Sequence, residues 1–180
     1  IYKRINKINI LYANANSIFD FTSGSAISIR LILEEFAKMG HNVFVVNSCI
    51  SDGIDGYKKS IEIWEKFADN KNKNKFINRF NFRKMNISLI KTRSWERTLL
   101  NSDEEENIFR EAKNIMEFYD IDFVIGWGNL LLEESIYREA KIKKIKICFY
   151  LVNPTYKGKK TFLLANSDLV ITCLLYTSDA

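Results

Sequence analysis

Two alternating periods of apolar residues run along this chain. Lys7 to Tyr12 (KINILY) is a short β-rich run, and polar turn residues follow it from Ala13 to Gly24. From Ser25 to Met39 the spacing turns helical, with Ile29, Ile32, Leu33, Phe36 and Met39 on one face. Gly40 fits the position just past a helix, where a positive φ carries no Cβ penalty. Val43 to Val46 is a second strand-length run. Tyr57 to Phe67 reads as a helix with Ile61, Trp64 and Phe67 inward, after a loop over 47–56. The polar tract NKNKNK over 70–75 predicts a mobile surface loop. Met85 to Ile90 suits a third strand. Ser102 and Glu105 then form a predicted capping box, and Asp103, Glu104 and Glu105 suit the positive end of a helix. Its inward face reads Ile108, Ala112, Ile115, Met116 and Tyr119. Phe123 to Ile125 is a buried strand, Leu130 to Lys141 a helix, and Ile145 to Val152 the longest strand candidate. A short helix over Thr161 to Ala165 and a last strand from Leu169 to Cys173 complete the series.

Alternation of strands with helices predicts an α/β domain: a Rossmann-like, doubly wound, mostly parallel sheet. Ligands in such sheets bind beyond the carboxyl ends of the strands, where the strand order reverses. The loops to watch are therefore 13–24, 47–56, 126–130 and 153–158. The length of 180 residues fits one domain. No apolar run approaches the ~20 residues of a membrane helix.

Composition narrows the chemistry. His41 is the single histidine, which excludes a zinc site built on several histidines. Cys49, Cys148 and Cys173 lack metal-like spacing and read as buried free thiols in a reducing compartment. No metal site is expected. There is no GxGxxG after the first strand and no Walker lysine loop, so dinucleotide dehydrogenases and P-loop enzymes lose support. Asn14 and Asn16 stand where a phosphoacceptor domain would carry paired aspartates. Heavy use of Asn, Ile and Lys with a single proline, Pro154, is what an AT-rich bacterial genome tends to encode. Residues 70–100 carry nine basic groups and one acid, Glu96, a charge of +8 in a chain of net +5, which leaves −3 elsewhere. With Phe76, Phe80, Phe82 and Trp95 interleaved, that segment either contacts an anionic membrane or is a solvated lysine-rich surface. No nucleic-acid module supports a nucleic-acid partner.

One small constellation lies between the first strand and the first helix. In Ser23-Gly24-Ser25, Gly24 permits close backbone approach and Ser25 can act as N-cap, so the helix start either holds an anion or is simply capped. Its neighbours carry a resemblance. GSAISIRLILEEFAKMGHNVFVV resembles the first βα unit of glycosyltransferase family 4, which has the GT-B fold: a Gly-rich turn, a long helix ending in Gly40-His41, then a V-x-V strand. DFVIGWG (Asp122 to Gly128) is similar to the family's D-x-V strand, and LANSDLVIT (Leu164 to Thr172) to the A-D-x-V-I strand that closes its N-terminal domain. Two departures stand out. The family usually has two adjacent glycines in the first loop, whereas Ser23 precedes Gly24 here. Many members carry a histidine after the strand matching Phe123–Ile125, and here Gly126, Trp127, Gly128 and Asn129 occupy those places. His41 matches the structural Gly-His instead.

The resemblance implies an N-terminal, acceptor-side domain of a glycosyltransferase. The parent enzyme takes a nucleotide-diphosphate sugar as co-substrate and a saccharide or lipid-linked acceptor, with retention and without metal or other cofactor. Ser23, Gly24 and Ser25 then form the donor- or phosphate-facing loop. Acceptor-side candidates are Asp20 in the first loop, Trp127, which either stacks on a sugar or packs at the strand end, and Asn129 and Asn153, which can bond hydroxyls. Catalytic residues are unknown, since the family's paired glutamates and phosphate-binding Arg and Lys lie in a C-terminal donor domain. The start at Ile1 and the tail Cys173 to Ala180 (CLLYTSDA), which resembles a translated sequencing-adapter, suggest an interrupted gene. The expected division is a domain over 1–172, a non-native tail over 173–180, and a donor domain beyond. The fragment alone is expected to be inactive, and the parent to be cytoplasmic or peripheral at the inner membrane face. The rival readings are a non-enzymatic Rossmann-like binding or regulatory module and a GT-B epimerase.

Overall fold

The computed structural model describes residues 7–68, 76–128, 130–151 and 165–172. In chain order the elements are β1 (Asn9–Ala13), α1 (Gly24–Lys38), β2 (Asn42–Ser48), α2 (Ile54–Lys66), β3 (Ile77–Phe82), β4 (Met85–Ile90), α3 (Ser102–Phe118), β5 (Phe123–Gly126), α4 (Leu131–Ile142), β6 (Lys146–Leu151) and β7 (Leu169–Thr172). They form one seven-stranded sheet in the order β3-β4-β2-β1-β5-β6-β7. Every neighbouring pair is parallel except β3–β4. The fold class is the α/β, Rossmann-like sheet that the alternation predicts.

Side-chain alternation along the strands sorts the core into two layers. Leu11, Phe44, Val46, Val124 and Phe149 face Ile108, Ile115, Ile136 and Tyr137 of α3 and α4. Ile10, Tyr12, Val45, Ile87 and Ile125 face Ile29, Leu33 and Trp64 of α1 and α2. Four of these strands, β1, β2, β5 and β6, carry continuous apolar runs because both faces are covered, as in other parallel sheets.

The helix ends follow local chemistry, with three shifts from expectation. Gly40 has φ +96, its N–H reaches Ala37 O at 3.2 Å, and His41 N–H reaches Phe36 O at 3.1 Å. This is a Schellman motif. His41 is buried at the opposite edge from the strand carboxyl ends, where its Nδ1 accepts from Ile8 N–H at 3.3 Å. The N-cap of α1 is Ser23, not Ser25, and its side chain makes no capping bond; Ser23 Oγ pairs with Ser25 Oγ at 2.8 Å instead. The capping box of α3 is Asn101 with Glu104, one residue before the predicted Ser102 and Glu105. Asn-x-x-Glu and Ser-x-x-Glu both fit the motif. The Asn register lets buried Glu104 also accept Arg93 N–H at 2.8 Å. Tyr119 is half-exposed past the end of α3, not inward, although its ring lies 4.4 Å from that of Phe44. Helix α2 starts three residues before the expected Tyr57.

The hairpin β3–β4 was not predicted as such. Arg83 and Lys84 make its turn with φ +48 and +66, a backbone usually supplied by Asn-Gly. β3 alternates Asn78, Phe80 and Phe82 toward one face with Arg79 and Asn81 on the other, so it shows no apolar run. This hairpin also changes the meaning of the basic segment. Arg79 pairs with Glu111 of α3 at 2.6 Å, Arg83 with Glu34 of α1 at 2.6 Å, and Arg97 with Glu133 of α4 at 2.9 Å. Each carboxylate is buried, so these arginines fasten the hairpin and its outgoing loop to three helices.

Asp122 and Asp168 share a second structural device. Asp122 accepts Asn9 N–H at 2.8 Å, and Asp168 accepts Ile147 N–H at 2.8 Å. Their own N–H groups bond Asn9 O and Ile147 O in return, at 2.9 and 2.8 Å. The aspartate of each D-x-V stretch thus clips a strand start to its neighbour. Among the described residues no helix is long and apolar enough to cross a membrane. The predicted loop over 70–75, most of the 161–165 helix, and the 173–180 tail lie outside the described residues.

Candidate functional site

On one side of β1 lie β2, β4 and the edge strand β3, which the chain reaches before β4, and the chain then crosses to place β5 on the other side of β1. The switch point therefore lies beyond the carboxyl ends of β1 and β5. Asn14 follows β1 and stays in register, its N–H bonding Val46 O at 3.0 Å. Its carboxamide turns the other way, donating to Trp127 O at 2.8 Å and accepting Asn16 N–H at 2.8 Å. The two loops that border the crevice are thereby joined to each other.

A charged pair sits beneath that junction. Glu133, in the first turn of α4, is 2% exposed. Its Oε1 accepts Ala15 N–H at 3.2 Å, and both oxygens accept Arg97 Nη2, at 3.1 and 2.9 Å. Burial raises the Glu133 pKa above the ordinary carboxylate value, with Arg97 and the Ala15 amide opposing. Among the described residues Arg97 Nη1 is buried with no hydrogen-bond partner. Gly128, beside Asn14 and Glu133, has φ +97, a conformation that other residues rarely adopt. Sequence reading missed Asn14, Arg97 and Glu133, because no motif links positions so far apart in the chain.

The expected site residues fall into three groups. Ser23, Gly24 and Ser25 open α1 at the carboxyl edge of β1. Among the described residues nothing lies within 4 Å of the place where a Cβ on Gly24 would stand, and Gly24 is exposed. Trp127 and Asp20 are drawn into the framework. Trp127 is half-buried against both core layers and its indole N–H donates to Tyr12 Oη at 2.9 Å. Burial holds the Tyr12 hydroxyl pKa well above its ordinary value. Asp20 is buried. Its carboxylate accepts Thr22 Oγ1 at 2.6 Å, Thr22 N–H at 2.9 Å and Asp52 N–H at 2.7 Å, which ties the β1–α1 loop to the β2–α2 loop. Asn129 and Asn153 lie outside the described residues.

Tyr150 of β6 hydrogen-bonds Ser28 of α1, so the crevice floor is tied to the first helix as well. Cys49 and Cys148 are buried and unpaired, and burial raises their thiol pKa values to about 12 and about 11. Among the described residues no group of three or more His, Cys, Asp or Glu side chains is placed to hold a metal ion.

No protein-family model matches the chain, and no curated protein matches it. Among solved structures, MurG of Acinetobacter baumannii is similar at 14% identity and a TM-score of 0.44, over 92% of this chain and 41% of that one. The chain thus spans less than half the length of that structure. A likeness this distant carries no functional argument, and the fold class rests on the sheet itself.

Proposed function

We propose that this chain is the N-terminal, acceptor-side half of a GT-B glycosyltransferase of the family 4 kind. The whole enzyme moves a sugar from a nucleotide-diphosphate donor to a saccharide or lipid-linked acceptor, with retention and without a metal. The observation that carries this reading is the start of α1. It has no side-chain cap, and Gly24 leaves open space above it at the carboxyl end of β1, across from the β5–α4 loop. Uncapped N–H groups and the helix dipole favour the charge on a departing diphosphate, the work a metal does elsewhere. Ser23, Gly24 and Ser25 face the phosphates. Trp127, Asn129 and Asn153 border the acceptor, and Asp20 fixes the loop from which it is approached.

Sugar transfer is expected only when this domain is joined to a donor-binding half. The test is transfer of labelled hexose from nucleotide-sugar donors in the presence of a metal chelator, for the isolated chain and for the joined protein. The joined protein is expected to transfer and the isolated chain to be silent. Transfer by the isolated chain contradicts the division of labour.

Contact with an anionic membrane remains part of this reading, though on fewer charges than the sequence count suggests. Arg79, Arg83 and Arg97 are committed to buried carboxylates, which leaves three described basic groups of the segment without an ion pair: exposed Lys84 and Arg93, and half-buried Lys91, whose Nζ lies 4.8 Å from the Trp64 ring centre. Vesicles rich in phosphatidylserine are expected to retain the protein weakly and in a salt-dependent way, at about 1 kcal/mol per basic group. Cosedimentation that is unchanged by Lys84→Ala with Arg93→Ala excludes this segment as the contact.

A further inference from the structure

A groove of about 480 Å³ opens beside the carboxyl-terminal half of α3, over β4 and β3 and the start of β2. It lies on the face away from α1 and α2, toward the amino ends of the strands, and so apart from the switch point. Its volume falls within the roughly 300–1,000 Å³ of small-molecule sites.

Its lining combines aromatic walls with uncommitted polar ends. Phe44 and Tyr119 pack ring to ring at 4.4 Å, and Phe118 beside them is 80% exposed. Arg79 spends Nε and Nη2 on Glu111, each at 2.6 Å, and Ser88 Oγ donates to the same carboxylate at 2.7 Å. Burial works to raise the Glu111 pKa, but the bonds from Arg79 and Ser88 outweigh it, so the pKa falls and the ion pair persists. The pair cancels its own charge. Arg79 Nη1, the Asn114 carboxamide and Tyr119 Oη make no hydrogen bond among the described residues, although the Tyr119 hydroxyl lies within electrostatic reach of Arg79.

We propose that this groove binds a neutral saccharide. A pyranose has an apolar face that stacks on an exposed aromatic ring, and hydroxyls that both donate and accept. A guanidinium edge, a carboxamide and a phenol supply that mixture around Tyr119. The cancelled Arg79–Glu111 charge gives no advantage to phosphates or other anions. This site is independent of the sugar-transfer reading: saccharide bound here without any transfer activity leaves it standing.

The test is a titration of the isotope-labelled 180-residue chain, followed by its amide resonances. The probes are maltotriose and N,N′-diacetylchitobiose, with uridine monophosphate as the anionic comparison. At least one saccharide is expected to shift resonances of 114–119 and 86–88, and uridine monophosphate to leave them in place. Asn114→Ala, at a half-buried position whose side chain makes no hydrogen bond among the described residues, is expected to weaken binding about tenfold without lowering the melting temperature. Tyr119→Ala is expected to do the same or more. The proposal is overturned if neither saccharide shifts these resonances, if uridine monophosphate shifts them equally, or if Asn114→Ala leaves the affinity unchanged.

Discussion

Arg97→Ala is expected to lower the unfolding free energy by about 3–5 kcal/mol at neutral pH, the usual consequence of leaving a buried charge without its partner. Glu133 is buried beneath the switch point, and apart from Arg97 its carboxylate has only backbone amides, of Ala15 and of Glu133 itself, to hold it among the described residues. The loss depends on pH with a definite sign. Burial already raises the Glu133 pKa above its reference value of 4.5, and removing the arginine raises it further. A carboxyl whose folded pKa exceeds its unfolded value keeps its stability below the unfolded pKa and loses it as pH rises through the folded one. Denaturant unfolding of the variant and the parent protein should therefore converge near pH 4 and diverge toward pH 8. Arg97→Met combined with Glu133→Leu should recover most of the loss, because an apolar pair leaves no charge behind. A pH-independent loss under about 1 kcal/mol would place the pair with ordinary surface ion pairs.

Among the described glycines, Gly126→Ala is expected to be the most damaging added methyl. A Cβ there stands 1.5 Å from Tyr137 Oη and 2.2 Å from Tyr137 Cζ. Tyr137 is fully buried on α4, so its ring cannot swing away without moving the helix. Overpacking of this kind costs about 3 kcal/mol or more, which for a chain of this size lowers the melting temperature by about 6–12 °C. Gly56→Ala meets a similar obstacle, with its Cβ 2.0 Å from Asp20 Oδ1. A melting temperature for Gly126→Ala within about 2 °C of the parent would mean that α4 packs less closely on β5 than described.

The parallel sheet was legible because β1, β2, β5, β6 and β7 carry continuous apolar runs and each long helix has its face and its ends marked. Gly40-His41 announced the end of α1, and both functioned as read. The capping box of α3 was legible only to within one residue, since two adjacent registers satisfy the same motif. β3 was hidden for a physical reason. It is an edge strand whose polar side chains find buried partners, and Arg-Lys occupies a turn that normally announces itself with Asn-Gly. The charge count over 70–100 was correct as arithmetic but did not show that three of its arginines are spent on buried glutamates from three different helices. The same limit applied at the site. Ser23-Gly24-Ser25 was visible as a local motif, whereas Asn14, Arg97 and Glu133 come together only when the chain reverses its strand order. Trp127 and Asp20 were recognised by position, and the fold shows their polar atoms already engaged with Tyr12, Thr22 and Asp52.

Gly24 offers the most direct measurement of the sugar-transfer reading. Its φ is not positive, it stands in the first turn of α1, and no atom of the described residues crowds its missing side chain. Alanine there should leave stability unchanged or raise it by up to about 1 kcal/mol, as Gly-to-Ala changes in helices do. The measurement is the specificity constant for transfer from a nucleotide-sugar donor by the joined protein, with Gly24 and with Gly24→Ala, alongside the melting temperature of each. A fall of about tenfold or more, at equal or higher stability, is the predicted result, because the added methyl occupies the space reserved for the diphosphate. Full transfer activity in the Gly24→Ala protein would contradict the placement of the donor phosphates over the start of α1.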